Sequence, residues 1–342
     1  MSLSKLKKSS IRVLFFILVS HIFFSVGYSN IKINTLDLKL ADNDAYIYRD
    51  IAENGLSKYR NDHRSTRILI PGTSYAISKI NFLDQKFNTP EANIFFVSSV
   101  ISFLSLISLM YLARLHFNQN TSFISASLFL VSFSMSNYMF MGYPDSAEFL
   151  LSTLLFITLT EKRFFYILPI FFMAALNRES FILFAVPAVF IWSLYYKESS
   201  DKKKLYLITI LSSFIFLITI FLLKKIFQGE SLLFTNQVIG WVSFEKFSMY
   251  INGDHIRMFL YPMLFLLPLG LLGSYQKKEI FNTISIISLT YFIIGGIFIG
   301  SGAAVGRYLF SSAGPLLLIC QSYLLLKIYN KYYETDYTNT LS

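Results

Sequence analysis

The sequence predicts an all-α polytopic membrane protein: a bundle of about ten transmembrane helices, with interfacial helices in its first outer loop. Three observations predict this. Apolar runs long enough to cross a bilayer recur along nearly the whole chain. Charged residues make up only 15% of it, against about 25% in soluble chains. Cations gather at every second connection between the runs, the pattern that orients a polytopic protein. A mean hydropathy of +0.53 excludes a soluble globular domain, so the 342 residues read as one integral membrane domain, 1–342.

The elements follow in order. Lys5, Lys7, Lys8 and Arg12 lead into an apolar run at 11–26, read as an uncleaved anchor whose N-terminus is cytoplasmic. Residues 28–91 then form the first outer loop, and the stretch from Asp42 to Pro71 is the longest polar one in the chain. Within it Tyr48, Ile51, Ala52 and Gly55 follow at helical steps of three, one and three. Such a helix is expected to lie on the membrane interface, apolar face down. The run from Ile68 to Phe82 is short and holds Pro71, Gly72 and Lys79, which suits an interfacial or re-entrant segment. Further spans are expected at 92–113, 121–141, 147–160, 164–176, 181–196, 205–223, 257–274, 280–300 and 309–328.

Charge tests this topology. With both termini cytoplasmic, the inner connections carry Arg114, then Lys162 and Arg163, then Lys197, Lys202, Lys203 and Lys204, then Lys277 and Lys278, then Lys327 and Lys331. Counting 68–82 as a span would invert the alternation. The outer side then receives the first loop, the turns at 143–148 and 177–180, a loop at 228–256 and the turn Gly306-Arg307-Tyr308. Most non-lysine ionisable groups converge there, so the active face is expected to be extracytoplasmic.

The net charge of +10 would suggest nucleic acid in a soluble protein. Here the cations flank apolar runs, where lipid head groups and topology account for them, so membrane lipids and no nucleic acid are the expected partners. The 36 Phe and 22 Tyr fit core packing and interfacial belts. His21, His63, His116 and His255 show no metal-ligand spacing, and no phosphate-cradling glycine loop is present. Neither a metal nor a cofactor is expected.

Several residues could carry chemistry. Asp44, with Asp42 beside it, starts the amphipathic helix; either could cap it, and a carboxylate there could also take a proton from an incoming hydroxyl. Arg178 and Glu179 lie between two apolar runs, where ionisable groups are costly unless paired. They either lock helices together or bind substrate. Arg307, followed by Tyr308, sits at the lip of the last span, where a guanidinium either snorkels to head groups or grips a phosphate. Asp145 and Glu148, three apart on one helical face, could bind sugar or acceptor hydroxyls. His255 beside Asp254 is a weaker acid–base pair.

The run Asp44-Ala45-Tyr46-Ile47-Tyr48-Arg49-Asp50-Ile51-Ala52-Glu53-Asn54-Gly55 resembles the first-loop signature of type C membrane glycosyltransferases. Arg67-Ile68-Leu69-Ile70-Pro71 is similar to the Arg-x-Leu-x-Pro element that follows it in bacterial members. The turn from Tyr143 to Glu148, Asn177-Arg178-Glu179-Ser180 and Gly306-Arg307-Tyr308 resemble later turns of their mannosyltransferase-like branch. The resemblance implies a multi-span hexosyltransferase that takes a sugar from a polyprenyl-phosphate donor. Asp44 matches the catalytic base, with Asp42 as fallback, and basic residues such as Arg67, Arg178 and Arg307 would hold the lipid phosphate.

On this reading the enzyme passes the sugar to a lipid-linked or surface glycan acceptor, at the outer face of a bacterial inner membrane. A polysaccharide polymerase or ligase using lipid pyrophosphate-linked glycans is the nearest alternative, and a flippase of lipid-linked sugars is the third. A transferase adds one sugar, a polymerase makes a ladder, and a flippase moves lipid without changing its glycan.

Overall fold

The computed structural model describes residues 44–55, 66–80, 89–132, 135, 139, 142–228, 266–294 and 302–339. The expected first span at 11–26, Asp42, and the loop carrying Asp254 and His255 lie outside the described residues. All regular structure among the described residues is helical.

The first-loop helix α1 (Asp44–Asn54) forms where the periodicity predicts it. It ends at Gly55, whose φ of +77° costs an L side chain energy but not glycine. The Gly55 amide still reaches the Ile51 carbonyl at 2.9 Å. A Cβ on Gly55 would come within 3.3 Å of the Tyr75 ring. The apolar face of α1 does not rest on the membrane interface as expected. Ile47, Tyr48, Ile51 and Ala52 are buried, and α1 packs on α2 (Leu69–Lys79) and α3 (Pro90–His116). Protein already covers that face, which removes the drive toward lipid. At 11 residues, α2 is about 16 Å long, too short to span, in keeping with the interfacial reading of 68–82.

Helix α3 starts cleanly, with Pro90 in its first turn and the Thr89 hydroxyl accepting from the Ala92 amide. The Asn118 side chain caps α4 (Gln119–Val131) in the same way. Then come α5 (Asp145–Thr160), a 3-10 turn at Phe164–Tyr166, α6 (Ile167–Ala175), α7 (Phe181–Ser193) and α8 (Ser199–Gln228). The last group is α9 (Leu267–Ser274), α10 (Lys278–Ile294), α11 (Gly302–Ser312) and α12 (Gly314–Asn339).

Only α3 and α8 are, among the described residues, long and apolar enough to cross a membrane unaided; α11 with α12 makes a third if a 79° bend is allowed. Several expected spans are therefore shorter helices. Ser132 turns to extended backbone and ends α4 well before residue 141. Phe164–Ala175 and α7 are apolar but 12–13 residues long, about 20 Å against a 30 Å core. The break between α11 and α12 precedes Pro315, which lacks the amide that would continue the ladder.

Phe129, Phe149, Phe156, Phe171 and Phe184 fill the centre of the bundle, all fully buried. Helix α8 leaves Leu207, Ile210 and Phe214 exposed, and only 28% of its most apolar stretch is covered by protein, as expected of a lipid-facing helix. At the other edge α9 crosses α12 with no room to spare. A Cβ on Gly273 would sit 2.0 Å from the Cys320 carbonyl oxygen, so the two backbones meet directly, as small residues permit in membrane helices.

Candidate active site

The site begins with the turn into α5. Gly142, at φ +75°, reverses the chain, and a Cβ there would be 3.0 Å from Ile94 Cγ2. Pro144 then opens the helix, its carbonyl accepting from the Glu148 amide at 2.9 Å and from the Asn177 side chain at 2.8 Å. Asp145 and Glu148 thus occupy the first turn, where acids suit the helix dipole. Both are buried, at 2% and 0% exposure. Buried carboxylates need partners, because desolvation costs several kcal/mol per ion on the order of that scale.

Two arginines supply them. Arg178 comes from the turn after α6, anchored by its own amide to the Ala174 carbonyl at 2.8 Å. One of its terminal nitrogens bonds closely to Glu148, and the other lies 3.3 Å from Asp145 Oδ2. Arg307, from α11, takes Asp145 with two donors, Nε to Oδ1 at 2.8 Å and Nη2 to Oδ2. Each guanidinium also faces a ring, Arg178 over Tyr308 and Arg307 over Tyr143, both at 4.4 Å. From α10, the Tyr291 hydroxyl reaches Glu148 Oε1 at 3.4 Å. The cluster therefore ties α5, α10, α11 and the 176–180 turn together.

A second pair adjoins it. Thr66 donates to Glu179 at 2.7 Å, Arg67 lies 3.5 Å from the same carboxylate, and the Leu69 amide bonds to the Leu176 carbonyl at 3.0 Å. Burial would push the Glu179 carboxyl up, but the Arg67 guanidinium and the Thr66 hydroxyl hold it below the usual range. Arg178 and Glu179, neighbours in sequence, thus face different partners. Tyr48 and Tyr308 lie beside Arg67 as well, and the Tyr48 ring meets Tyr143 edge-on at 6.0 Å.

These contacts connect the first loop to the arginines. Tyr48 on α1 touches Tyr143, which lies under Arg307. Asp44 is the first residue of α1, one helical turn before Tyr48. Among the sequence candidates, Tyr48, Arg67, Asp145, Glu148, Arg178, Glu179, Arg307 and Tyr308 come together. In one respect the arrangement differs from expectation: the acids expected to meet sugar hydroxyls and the arginines expected to meet phosphate hold one another. A largely buried site with two cations and two anions reaches neutrality that way. Tyr291 and Thr66 join the site without a sequence signal, one inside an apolar run and the other in a polar loop.

Residues 72–222 match the family described as dolichyl-phosphate-mannose-protein mannosyltransferase. No curated protein matches the chain. The matched stretch runs from within α2 into α8 and so includes Asp145, Glu148, Arg178 and Glu179. That stretch, which carries the Asp145, Glu148 and Arg178 part of the cluster while Arg307 lies beyond it, is similar to a family of GT-C membrane glycosyltransferases that use polyprenyl-phosphate mannose.

Proposed function

We propose that this protein transfers a hexose, mannose by the family that residues 72–222 match, from a polyprenyl-phosphate donor to a lipid-linked or surface glycan acceptor on the extracytoplasmic face of a bacterial inner membrane. The donor enters sideways from the bilayer. Arg307 meets its phosphate first, since its side chain is 18% exposed while that of Arg178 is 2% exposed. Arg67 flanks the same region, and Tyr308 lies against Arg178.

Asp44 acts as general base. It takes the proton from an acceptor hydroxyl; that oxygen bonds to the anomeric carbon, and the bond from that carbon to the phosphate oxygen breaks. The electron pair leaves on the lipid phosphate, whose growing charge the guanidiniums stabilise. The anomeric centre inverts. Asp42, Asp145, Glu148, Glu179 and His255, with Tyr48, are further candidates for contacting or positioning the substrates.

One observation carries this reading: α1, which begins at Asp44, reaches the arginine cluster through Tyr48 and Tyr143. The test is Asp44→Asn in purified protein given polyprenyl-phosphate mannose and a lipid-linked acceptor. Transfer is expected to fall by at least about 100-fold, with yield and thermal midpoint unchanged. An Asp44→Asn protein of full activity would refute the assignment.

A further inference from the structure

We infer that Asp145 is a built-in stand-in for the lipid phosphate, a carboxylate that holds the Arg307 fork between turnovers and competes with the phosphate for it. This rests on the reading above that Arg307 binds the donor phosphate.

The geometry comes first. Arg307 presents Nε and Nη2 to the two oxygens of Asp145, Nε at 2.8 Å. This two-donor edge matches a carboxylate and a phosphate equally well. Asp145 is chiefly Arg307's partner. Its contact with Arg178 is long, 3.3 Å, and Arg178 is held more closely by Glu148.

Exposure and charge point the same way. Arg307 is the open member of the cluster, while the Asp145, Arg178 and Glu148 side chains are 3% exposed or less. An arriving anion therefore meets Arg307 before the others. The two guanidiniums and two carboxylates already sum to zero, so an arriving phosphate meets an Arg307 whose charge is already matched and has to compete with Asp145 for it. A carboxylate that yields still has Arg178 beside it, whose buried Nε has no hydrogen-bond partner among the described residues.

Competition of this kind has a use. The donor is a phosphodiester with one negative charge; the lipid phosphate left after transfer is a monoester approaching two at neutral pH, on the order of −1.5 to −2. Arginines with no resident counter-anion would hold the product more tightly than the substrate, and turnover would stall. Asp145 offsets that preference and helps the product leave.

The experiment uses the full chain in nanodiscs, with undecaprenyl phosphate as the binding probe. Asp145→Asn is expected to tighten its binding by about tenfold or more, the Coulomb effect of removing one nearby charge at intermediate dielectric. The same variant should lower the donor KM and kcat together, because release becomes slower, while Asp145→Glu, which keeps the charge, should bind the probe less tightly than Asp145→Asn. Folded Asp145→Asn protein that binds the probe no more tightly overturns the inference.

If Asp145→Asn does not fold, Arg178→Gln is compared with Arg178→Gln/Asp145→Asn, whose remaining charges balance. The double variant should bind the probe more tightly by a similar factor, and equal affinities overturn the inference. Binding by the unsubstituted protein separates the two levels. If it does not depend on Arg307, tested with Arg307→Ala, the donor reading itself fails; if it does, and Asp145→Asn brings no gain, only the stand-in role fails.

Discussion

Replacing Arg178 by alanine tests whether the cluster holds the bundle together as well as serving the chemistry. Glu148 is fully buried, and Arg178 is its closest partner. Without Arg178 it keeps, among the described residues, only the Tyr291 hydroxyl at 3.4 Å, while Asp145 retains Arg307. The local charge goes from balanced to one negative in a buried region. Breaking a buried pair from one side costs about 3–5 kcal/mol, which lowers a thermal midpoint by on the order of 10 °C. Glu148→Gln should cost less, since Arg178 keeps Asp145. Removing both charges together, as Arg178→Met/Glu148→Gln, should cost less than the two single changes summed, because no lone charge remains. The assay is thermal unfolding in detergent, followed by loss of the monodisperse peak. An Arg178→Ala protein that melts with the unsubstituted one, or a double variant whose cost equals the sum of the singles, would refute the reasoning.

Further predictions follow from other contacts. Arg307→Ala should raise the donor KM by about tenfold or more while shifting the thermal midpoint less than Arg178→Ala, since Asp145 still has Arg178; donor titration against a fixed acceptor checks this. Gly273→Ala should destabilise by about 1–3 kcal/mol or more, because a Cβ 2.0 Å from the Cys320 carbonyl forces α9 and α12 apart. Glu179 has a carboxyl held below its usual range of 4.5 by Arg67 and Thr66, so its stabilising effect is full above that value and is lost as pH falls through the lower folded value. The stability gap between the unsubstituted protein and Glu179→Gln, measured by melting, should therefore be constant near neutrality and close under acid conditions.

The membrane class was legible in the sequence because it depends on local chemistry. Apolar run length and the placement of lysines mark membrane helices and their connections, whatever those helices pack against. The step pattern of Tyr48, Ile51, Ala52 and Gly55 was enough to find α1, and the turns bearing Asp145, Arg178 and Arg307 stood out as charges among apolar neighbours. Pairing was beyond it. Nothing in the order of residues says that Arg178 turns to Glu148 while its neighbour Glu179 turns to Arg67, because each choice depends on which helix stands opposite. For the same reason the membrane-facing side of α1 was misjudged: an amphipathic period fixes which face is apolar, and only the packed bundle decides whether lipid or α2 and α3 cover it. Helix length also escaped, since Ser132 and Pro315 interrupt apolar runs that hydropathy alone reads as continuous. Local patterning determined what this chain is made of, and the meeting of distant charges in a buried interior decided how its site is built.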